Sequence, residues 1–551
     1  MLRWIAITWV VVFWKMGSLS LFDPDEAHYA ELTREMLESG NWLVPLLDGK
    51  PFIDKPVLFH WLQGTSILLF GETEFATRLP TALAALGLIA ITRWVGRELF
   101  SAEVGTLGAI MFAVIPATFA LSTIAVFDMV FGCFLFGALG CLLVAAKHAS
   151  VKLELCGYGL LTLAVMTKGP VALVLIAMWL AAAFVVSSDT RAQVRRLHWK
   201  TGLPAVVVAA SPWFVWMAWR FGADFVQGYV IAGNLYYVTQ PTEFSTRAVN
   251  HTFYLRAFAG AFFPWSVVIV GRGIDALRGM RSGASLSGGE KLLWLWILVV
   301  VGLFSIARFK LDHYIFPAAP ACCLIAAHAW RDAARERSRR STGTRYAVLA
   351  IAVLMIAGGG FGGVYLSKIG LALPATALLL PLAIFAGGVG LLFQCERRGW
   401  HVPAGVGVVA TALLVSYATV VWVGFPALER VRPTEAVARV VPQSLSPSVP
   451  VAIYKLERWR GSLRYYLGRP VQRIETVEEV RAFLAQPEPV YAIMLRRDYL
   501  SLRDQNIPVY LVTAHRAVVG TTGRGIRKQR WGFLVVVTNM PEGGVHPTRH
   551  P

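Results

Sequence analysis

Charged residues are scarce in this chain: Asp, Glu, Lys and Arg make up only 15% of its 551 residues, whereas 56% are hydrophobic. A soluble domain needs more polar surface than this composition supplies. The mean hydropathy of +0.56 points the same way. The sequence therefore predicts a polytopic membrane protein.

Cysteine is also rare, and its positions argue against two kinds of site. The six cysteines all lie within or beside apolar segments: Cys133, Cys141, Cys156, Cys322, Cys323 and Cys395. None falls in the longer polar stretches, so a disulfide framework is not expected. No pair has metal-ligand spacing on an exposed loop, so zinc held by cysteine is not expected either. The sequence also shows no internal repeat of fixed period and no low-complexity segment.

Apolar runs long enough to cross roughly 30 Å of hydrocarbon recur through the first 424 residues. A retained N-terminal helix, Met1 to about Leu19, comes first. The others lie near 81–97, 104–122, 128–146, 154–170, 171–187, 202–220, 257–271, 291–307, 313–329, 346–366, 374–394 and 403–423. Together they predict a mainly α membrane domain, 1–424, with about 13 transmembrane helices.

Lysine and arginine concentrate in alternate loops, which assigns those loops to the cytoplasm. They include Arg191, Arg195, Arg196, Lys200, Arg272, Arg278, Arg281 and the basic residues between Arg331 and Arg345. The loops at about 21–78 and 221–255 then face the outside, which is the periplasm of a Gram-negative cell. The formal net charge of +19 belongs largely to the cytoplasmic loops, so nucleic-acid binding is not predicted.

The last part of the chain, 425–551, changes character and predicts a small periplasmic α/β domain. VPVAIY, VYAIML, VYLVT and FLVVVT have the composition of short buried strands, and Glu457–Leu467 and Thr476–Ala485 have the periodicity of helices. These strands carry no nucleotide-binding glycine motif. We expect this domain to position or cover something and not to catalyse.

Carboxylates gather just beyond the N-terminal helix, in DPDEAHYAE. Asp25 and Glu26 begin a segment, about Glu26 to Leu37, with the period of an amphipathic helix lying along the membrane interface. Capping that helix is one explanation for them, but three carboxylates including Asp23 exceed what a cap needs. Asp128 opens a later span, so Asp25 and Asp128 both lie at external span ends and can converge on one site.

Cations recur at the same depth as these carboxylates. Arg78 precedes a proline, Lys168 lies in TKGP at the end of a span, and Lys310 lies in FKLDHYIFPAAP. Positioned cations bind the phosphates of an anionic headgroup and stabilise a departing phosphate. Snorkelling is the alternative explanation for each lysine taken alone.

These motifs carry a family resemblance. DPDEAHYAE, DKP, Asp128, TKGP, SPW, FFPW and KLDHYIFPAAP resemble, in order and spacing, the GT-C membrane glycosyltransferases of the protein-mannosyltransferase-like superfamily. Within it the chain is most similar to the bacterial transferases that add aminoarabinose to lipid A.

The resemblance implies a bacterial inner-membrane enzyme with its active site on the periplasmic side. Such an enzyme takes a sugar from a polyprenyl (undecaprenyl) phosphate donor and transfers it, with inversion, to lipid A or a related envelope acceptor. It implies catalytic roles for Asp25, Glu26 and Asp128. The substrate-binding residues that it and the motifs suggest are His28, Tyr29, Asp54, Lys55, Arg78, Lys168, Lys310 and Tyr314.

Several alternatives stay open at this point. The segment DFVQGYVIAGNLYYVT departs from the acidic, histidine-containing stretch of aminoarabinose transferases, so another sugar such as a hexosamine is compatible with the motifs. The acceptor is lipid A, another glycan or a protein. A divalent metal ion near Asp25, Glu26 and Asp54 is a further option. A transporter of polyprenyl-linked sugar is the alternative from another class, although the ionisable groups lie at span ends and not at the midplane.

Overall fold

The computed structural model describes residues 13, 15–239, 252–283, 285–335, 341–368, 371–397, 401–441, 449, 451–456, 460–469, 471–521 and 529–541. Of the predicted N-terminal helix, Met1 to about Leu19, residues 1–12 and 14 lie outside the described residues. So does the segment 240–251 of the second predicted external loop.

Helices are present at all of the remaining predicted spans. In chain order they are α1 (Asp25–Ser39), α2 (Leu58–Phe70), α3 (Glu74–Leu99), α4 (Ala102–Ala113), α5 (Pro116–Ser122), α6 (Phe127–His148), α7 (Val151–Lys168), α8 (Val171–Val186), α9 (Ser188–Val194), α10 (Trp199–Phe225), α11 (Phe253–Ala261), α12 (Trp265–Arg281), α13 (Gly288–Ile306), α14 (Ala319–Arg335), α15 (Thr342–Leu366), α16 (Leu379–Arg397) and α17 (Val402–Thr419). π-helical turns extend α10 over Val226–Leu235 and α17 over Val420–Gly424, and a 3₁₀ turn, Asp312–Ala318, precedes α14.

Within the described residues, seven helices are long and apolar enough to cross a membrane, or up to nine if each of two bent pairs forms one span. Proline lies at both bends. Pro116 begins α5, which is bent by 63° from α4, and Pro264 precedes α12, which is bent by 115° from α11. Proline lacks an N–H and restricts the residue before it, so a helix ends there. The chain is a multi-pass membrane protein, and the total of about 13 spans stays a prediction.

Buried tryptophans join neighbouring apolar helices through hydrogen bonds from the indole N–H to a backbone carbonyl. The indole N–H of Trp179 donates to the carbonyl of Leu292, at 3.0 Å, so that α8 is joined to α13. Trp265 of α12 donates in the same way to Met111 of α4, at 2.9 Å. A buried indole needs such a partner because its N–H has left water. These bonds place the ends of the spans, and therefore the loops between them, in fixed relative positions.

The first of the predicted external loops forms a helix and a hairpin. α1 begins with Asp25 and Glu26 in its first turn, where carboxylates suit the helix dipole. It ends at Gly40, which has a φ of 68°. A two-residue turn of Asp48 and Gly49, both with positive φ, then joins β1 (Leu46–Leu47) to β2 (Lys50–Pro51), as is usual for tight hairpins. The helix predicted from about Glu26 to Leu37 is therefore present.

The C-terminal part forms a five-stranded sheet in the order β4-β3-β5-β7-β6. Its elements are α18 (Thr434–Val440), β3 (Val451–Tyr454), α19 (Arg460–Leu467), β4 (Val471–Ile474), α20 (Val477–Leu484), β5 (Tyr491–Leu495), α21 (Arg496–Asp504), β6 (Tyr510–Thr521) and β7 (Gln529–Thr538). The strands β4, β3 and β5 are parallel, and β7 and β6 are antiparallel to their neighbours. All four predicted strands are present. β4 and α21 were not predicted, because VQRI is short and RRDYLSLRD is largely polar.

Candidate active site

Asp25 lies at the first position of α1 and is accessible to solvent. Protein atoms still surround its carboxylate on most sides, and this burial raises the pKa of Asp25 above its ordinary value. Of the charges that act on it, His313 lowers the pKa, Asp128 raises it, and Lys168 and Lys55 lower it. The net shift is upward. An accessible carboxylate among cations is an arrangement suited to proton transfer or to stabilising positive charge.

Asp128 lies in the first turn of α6 and connects three segments. It is only 7% exposed. Its Oδ1 accepts a hydrogen bond from Lys168 Nζ at 2.5 Å, and its Oδ2 lies 3.5 Å from His313 Nε2. The structure therefore brings Asp128 and Lys168, both predicted from the sequence, into one buried ion pair. His313 was not predicted as a site residue.

A tight turn sets the position of Lys168, the last residue of α7. Gly169 follows with a φ of +87°, and a Cβ there would lie 2.3 Å from the hydroxyl of Tyr229. Only glycine fits this turn against the π-helical segment Val226–Leu235. The Lys168 ammonium then lies 4.7 Å from the centre of the Tyr314 ring. The predicted Tyr314 is therefore part of this cluster, through a cation–π contact.

Lys55 and Asp54 lie together in the segment between β2 and α2. Lys55 Nζ donates to Asp54 Oδ2 at 2.9 Å, and the Lys55 side chain is only 14% exposed. The same π-helical segment packs on this pair, because a Cβ at Gly233 would lie 2.9 Å from Asp54 Oδ1. The stretch that departs from the pattern of aminoarabinose transferases therefore borders both Asp54 and the turn that follows Lys168.

Glu26 and Arg78 form a buried pair with a different environment from that of Asp25. Arg78 Nε donates to Glu26 Oε1 at 2.7 Å, and Nη2 donates to Oε2 at 2.9 Å. The remaining N–H groups of Arg78 point to the carbonyls of Met16, Leu19 and Ser20. All five N–H groups of the guanidinium thus have acceptors within the chain.

The two oxygens of Glu26 are also fully used. Oε1 accepts from the Ala125 backbone N–H at 2.8 Å and Oε2 from the Phe22 N–H at 2.9 Å. The catalytic role of Glu26 and the substrate-binding role of Arg78 stay predictions. In the structure the pair ties the start of α1 to the backbone that leads into Asp128.

Three other predicted residues lie around this cluster with contacts of their own. Lys310 Nζ donates to the carbonyls of Phe304, Ser305 and Ala307, at 3.2, 2.6 and 2.7 Å, and so caps the C-terminus of α13. Its ammonium is directed to these carbonyls, which argues against the predicted role at a phosphate. On α1, His28 packs edge-on against Phe52 and Tyr29 against Phe127. Tyr29 therefore connects α1 to the first residue of α6.

The described residues contain no group of three or more His, Cys, Asp or Glu side chains placed to hold a metal ion. Two of the three carboxylates proposed for a divalent ion have ion-pair partners of their own. Glu26 pairs with Arg78 and Asp54 pairs with Lys55. The donor set therefore does not fit the metal site that the sequence suggested, and no step below uses a metal.

His313 is the site residue that sequence reasoning missed. It lies between Lys310 and Tyr314 in KLDHYIF, and both of those residues were selected as candidates. The sequence did contain a signal for His313, because this histidine lies at the predicted external end of a span and directly before Tyr314. The missing information was its partner, because Asp128 lies 185 positions earlier in the chain.

Known proteins resemble this chain in sequence and in fold. The family model described as dolichyl-phosphate-mannose-protein mannosyltransferase matches residues 54–216. Over 98% of both chains, the structure is similar to that of ArnT from Cupriavidus metallidurans bound to undecaprenyl phosphate, with 22% identity and a TM-score of 0.77. The predicted resemblance to the GT-C membrane glycosyltransferases is confirmed. The GT-C fold thus covers the C-terminal sheet as well as the helices.

Two relatives in sequence are named undecaprenyl phosphate-alpha-4-amino-4-deoxy-L-arabinose arabinosyl transferase. The protein of Serratia proteamaculans is 30% identical over 58% of this chain and 57% of its own length. The protein of Edwardsiella ictaluri is 26% identical over 86% of this chain and 89% of its own length. The chain thus spans little more than half of the first relative and most of the second. The matched family region contains Lys55, Asp128 and Lys168, and it begins after Asp25.

Proposed function

We propose that this chain is an inner-membrane glycosyltransferase that moves a sugar from polyprenyl phosphate to lipid A or a related envelope acceptor, with inversion. The observation that carries the proposal is the cluster of Asp25, Asp128, Lys168, Lys55 and His313 in a GT-C fold. The relatives in sequence are named for an undecaprenyl phosphate aminosugar. These names favour transfer over transport.

In the proposed membrane orientation the cluster lies at the periplasmic face, and the chain has about 13 spans with its C-terminal domain in the periplasm. The acceptor oxygen attacks the anomeric carbon as the bond from that carbon to the phosphate oxygen breaks. The electron pair of this bond leaves with the polyprenyl phosphate. A single displacement of this kind inverts the configuration of the carbon.

The cations of the cluster are suited to the departing phosphate. Lys55 and Lys168 are each mostly buried, and each is held by a carboxylate, Asp54 and Asp128 respectively. A cation fixed in this way needs little reorganisation when negative charge develops on the leaving group. We assign Lys55 and Lys168 to the donor phosphate and Asp128 to the positioning of Lys168 and His313.

The role of Asp25 depends on the acceptor. A hydroxyl acceptor needs a base that takes its proton, and Asp25 is the accessible carboxylate of the cluster. A phosphate acceptor is already ionised, so Asp25 would then stabilise positive charge on the sugar ring. In both cases the deprotonated form of Asp25 is the active one.

The proposal is tested by mass spectrometry of lipid A from cells that express the wild-type chain, Asp25→Asn, or neither. An increment on lipid A that appears with the wild type and not with Asp25→Asn supports the proposal, and its mass identifies the sugar. Purified wild-type protein that cannot transfer sugar from any polyprenyl phosphate aminosugar to lipid A would contradict it. Modification of another glycan or of protein would retain the reaction and move the acceptor.

A further inference from the structure

The helix α19 of the C-terminal domain contacts the loop at about 21–78, which carries Asp25, through several side chains. Its Ser462 backbone N–H donates to Asp23 Oδ1 at 2.9 Å, and its hydroxyl donates to the other oxygen of Asp23. Asp23 lies two residues before Asp25. The chain immediately before the candidate catalytic carboxylate is therefore fixed by a residue from the far end of the sequence.

A second contact of α19 is electrostatic and almost fully buried. The Arg464 side chain is 3% exposed and lies among three carboxylates of the external loop. Its Nε is 3.6 Å from Glu31, its Nη2 is 3.3 Å from Glu35, and Nη2 also contacts Asp48. Glu31 is on the buried side of α1 with 1% of its side chain exposed. A guanidinium can serve several carboxylates at once because its donors form a planar fork.

These carboxylates belong to two different segments of the loop. Glu31 and Glu35 are on α1, whereas Asp48 is in the turn of the hairpin. Glu35 also accepts hydrogen bonds from the backbone N–H groups of Asp48 and Gly49, both at 3.0 Å. Arg464 thus holds the hairpin against α1. Three residues, 52–54, connect the end of this hairpin to Lys55.

Tyrosines beside Arg464 complete the contact. The Tyr466 hydroxyl donates to Glu74 at 2.8 Å and accepts from the Leu21 backbone N–H, also at 2.8 Å. The Tyr465 ring packs against Leu21, Ala27 and Ala30. The helix α19 therefore contacts both flanks of Asp25 and the first turn of α3.

We propose that α19 is a positioning element of the active site, in which Ser462 and Arg464 fix α1 and the hairpin so that Asp25 and Lys55 face one another across the substrate. Neither residue is assigned a contact with substrate. This inference rests on the proposed function for its catalytic meaning. The contacts that carry it do not depend on the reaction.

The positive charge of Arg464 stabilises this contact because it lies among three carboxylates. Without Arg464, the Asp48 and Glu35 carboxylates would lose the cation that both of them contact, and the repulsion between like charges would be less compensated. Glu31 would keep Arg34, whose Nη2 lies 2.7 Å away. The loss of Arg464 is therefore expected to release the hairpin and the adjoining turn of α1 and not to unfold the whole loop.

The test uses the full chain, purified in lipid nanodiscs, with Arg464→Ala, Arg464→Lys and Ser462→Ala. The control is Arg439→Ala, which removes an arginine of the same domain that is 75% exposed and pairs only with its neighbour Glu435 in the described contacts. The first measurement is hydrogen–deuterium exchange. Peptides covering residues 25–55 are compared with peptides from the strands β3 and β5.

We expect Arg464→Ala to accelerate exchange in residues 25–55 by roughly tenfold while β3 and β5 stay protected, because the opening is local. Arg464→Lys should have a smaller effect, since a lysine cannot serve three carboxylates in one geometry. Ser462→Ala should also be milder, because the backbone N–H still donates to Asp23. The Arg439→Ala control should match the wild type.

The second measurement is turnover per folded protein with a polyprenyl phosphate aminosugar and lipid A. A displacement of about 1 Å can cost on the order of 100-fold in rate, so kcat should fall in Arg464→Ala while the KM for lipid A stays near the wild-type value. A merely structural role would lower the yield of folded protein and leave kcat per folded molecule unchanged.

Unchanged exchange in residues 25–55 of Arg464→Ala would overturn the inference. Faster exchange confined to β3 and β5 would overturn it too, because Arg464 would then serve its own domain. Should Arg464→Ala fail to fold, Ser462→Ala and Arg464→Lys decide by the same criteria. A wild-type chain without transfer activity would refute the proposed function, and the exchange data would still test the positioning contact.

Discussion

Neighbouring residues on α1 should respond to the same chemical change in opposite ways. Asp25→Asn and Glu26→Gln each replace a carboxylate by its amide with almost no change in volume. Asp25 is accessible to solvent, and the protein atoms near its carboxylate already penalise the charged form. Its amide should therefore leave the fold intact and abolish transfer.

Glu26 is 2% exposed and Arg78 is 1% exposed, so Glu26→Gln removes the partner of a fully buried cation. The carboxylate accepts from four donors, two on Arg78 and one each on Phe22 and Ala125. An amide keeps one oxygen and turns its N–H groups toward the other donors. Breaking a buried ion pair from one side costs about 3 to 5 kcal/mol. At roughly 2 to 4 °C per kcal/mol, this corresponds to a fall in Tm on the order of 10 °C.

The assay is thermal unfolding of the purified protein in detergent, followed by size-exclusion chromatography, together with initial rates at a temperature where each variant is folded. Glu38→Gln on the same helix is the control. Its side chain is 57% exposed and pairs with Arg34 at i,i+4, so the change should be within about 1 kcal/mol. A Glu26→Gln protein with wild-type Tm and no turnover would refute the structural role of the pair.

Three further predictions concern the cluster. Lys55→Ala should lower kcat by roughly 10² to 10³, as loss of one preorganised donor does. Initial rates near the wild-type value would remove Lys55 from the donor phosphate. Asp128→Asn releases Lys168 and His313, so we expect a loss of about 100-fold from displaced groups, measured in the same assay. Turnover needs deprotonated Asp25, whose pKa is raised. The rate should therefore fall as pH drops through a pKa above the ordinary value near 3.9. Lys55→Gln removes a positive charge that lowers the pKa of Asp25. The fall in rate at acidic pH should therefore begin at a higher pH in this variant. A shift of this fall to lower pH would contradict the assignment.

Much of this architecture follows from patterns that are local in the sequence. Long hydrophobic runs locate the helices, and short apolar runs locate four of the five strands of the C-terminal sheet. Asp25 and Asp128 could be selected because each begins a helix at the end of an apolar segment. A lysine followed by Gly-Pro indicated a tight turn at Lys168. In each case the information lies within about ten residues.

The remaining features depend on partners that are distant in sequence. Nothing near Glu26 distinguishes it from Asp25, and its partner Arg78 is 52 positions away. The same reasoning explains why His313 was missed, whereas the carbonyls that Lys310 contacts lie only three to six positions before it. A side chain's charge can be read from the sequence, but the direction in which it points is set by tertiary packing.

The contact between Arg464 and α1 also has a consequence for the order of biosynthesis. Arg464 lies 429 positions after Glu35, so a ribosome adding about 5 to 20 residues per second needs roughly 20 to 90 s to reach it after α1 has been made. The helices of the membrane domain can insert during that interval. The loop that carries Asp25 gains its contact with Arg464 only after the C-terminal part of the chain has been made and has folded. A chain truncated before α19 would therefore retain every residue of the candidate site and lack the contact that we propose positions it.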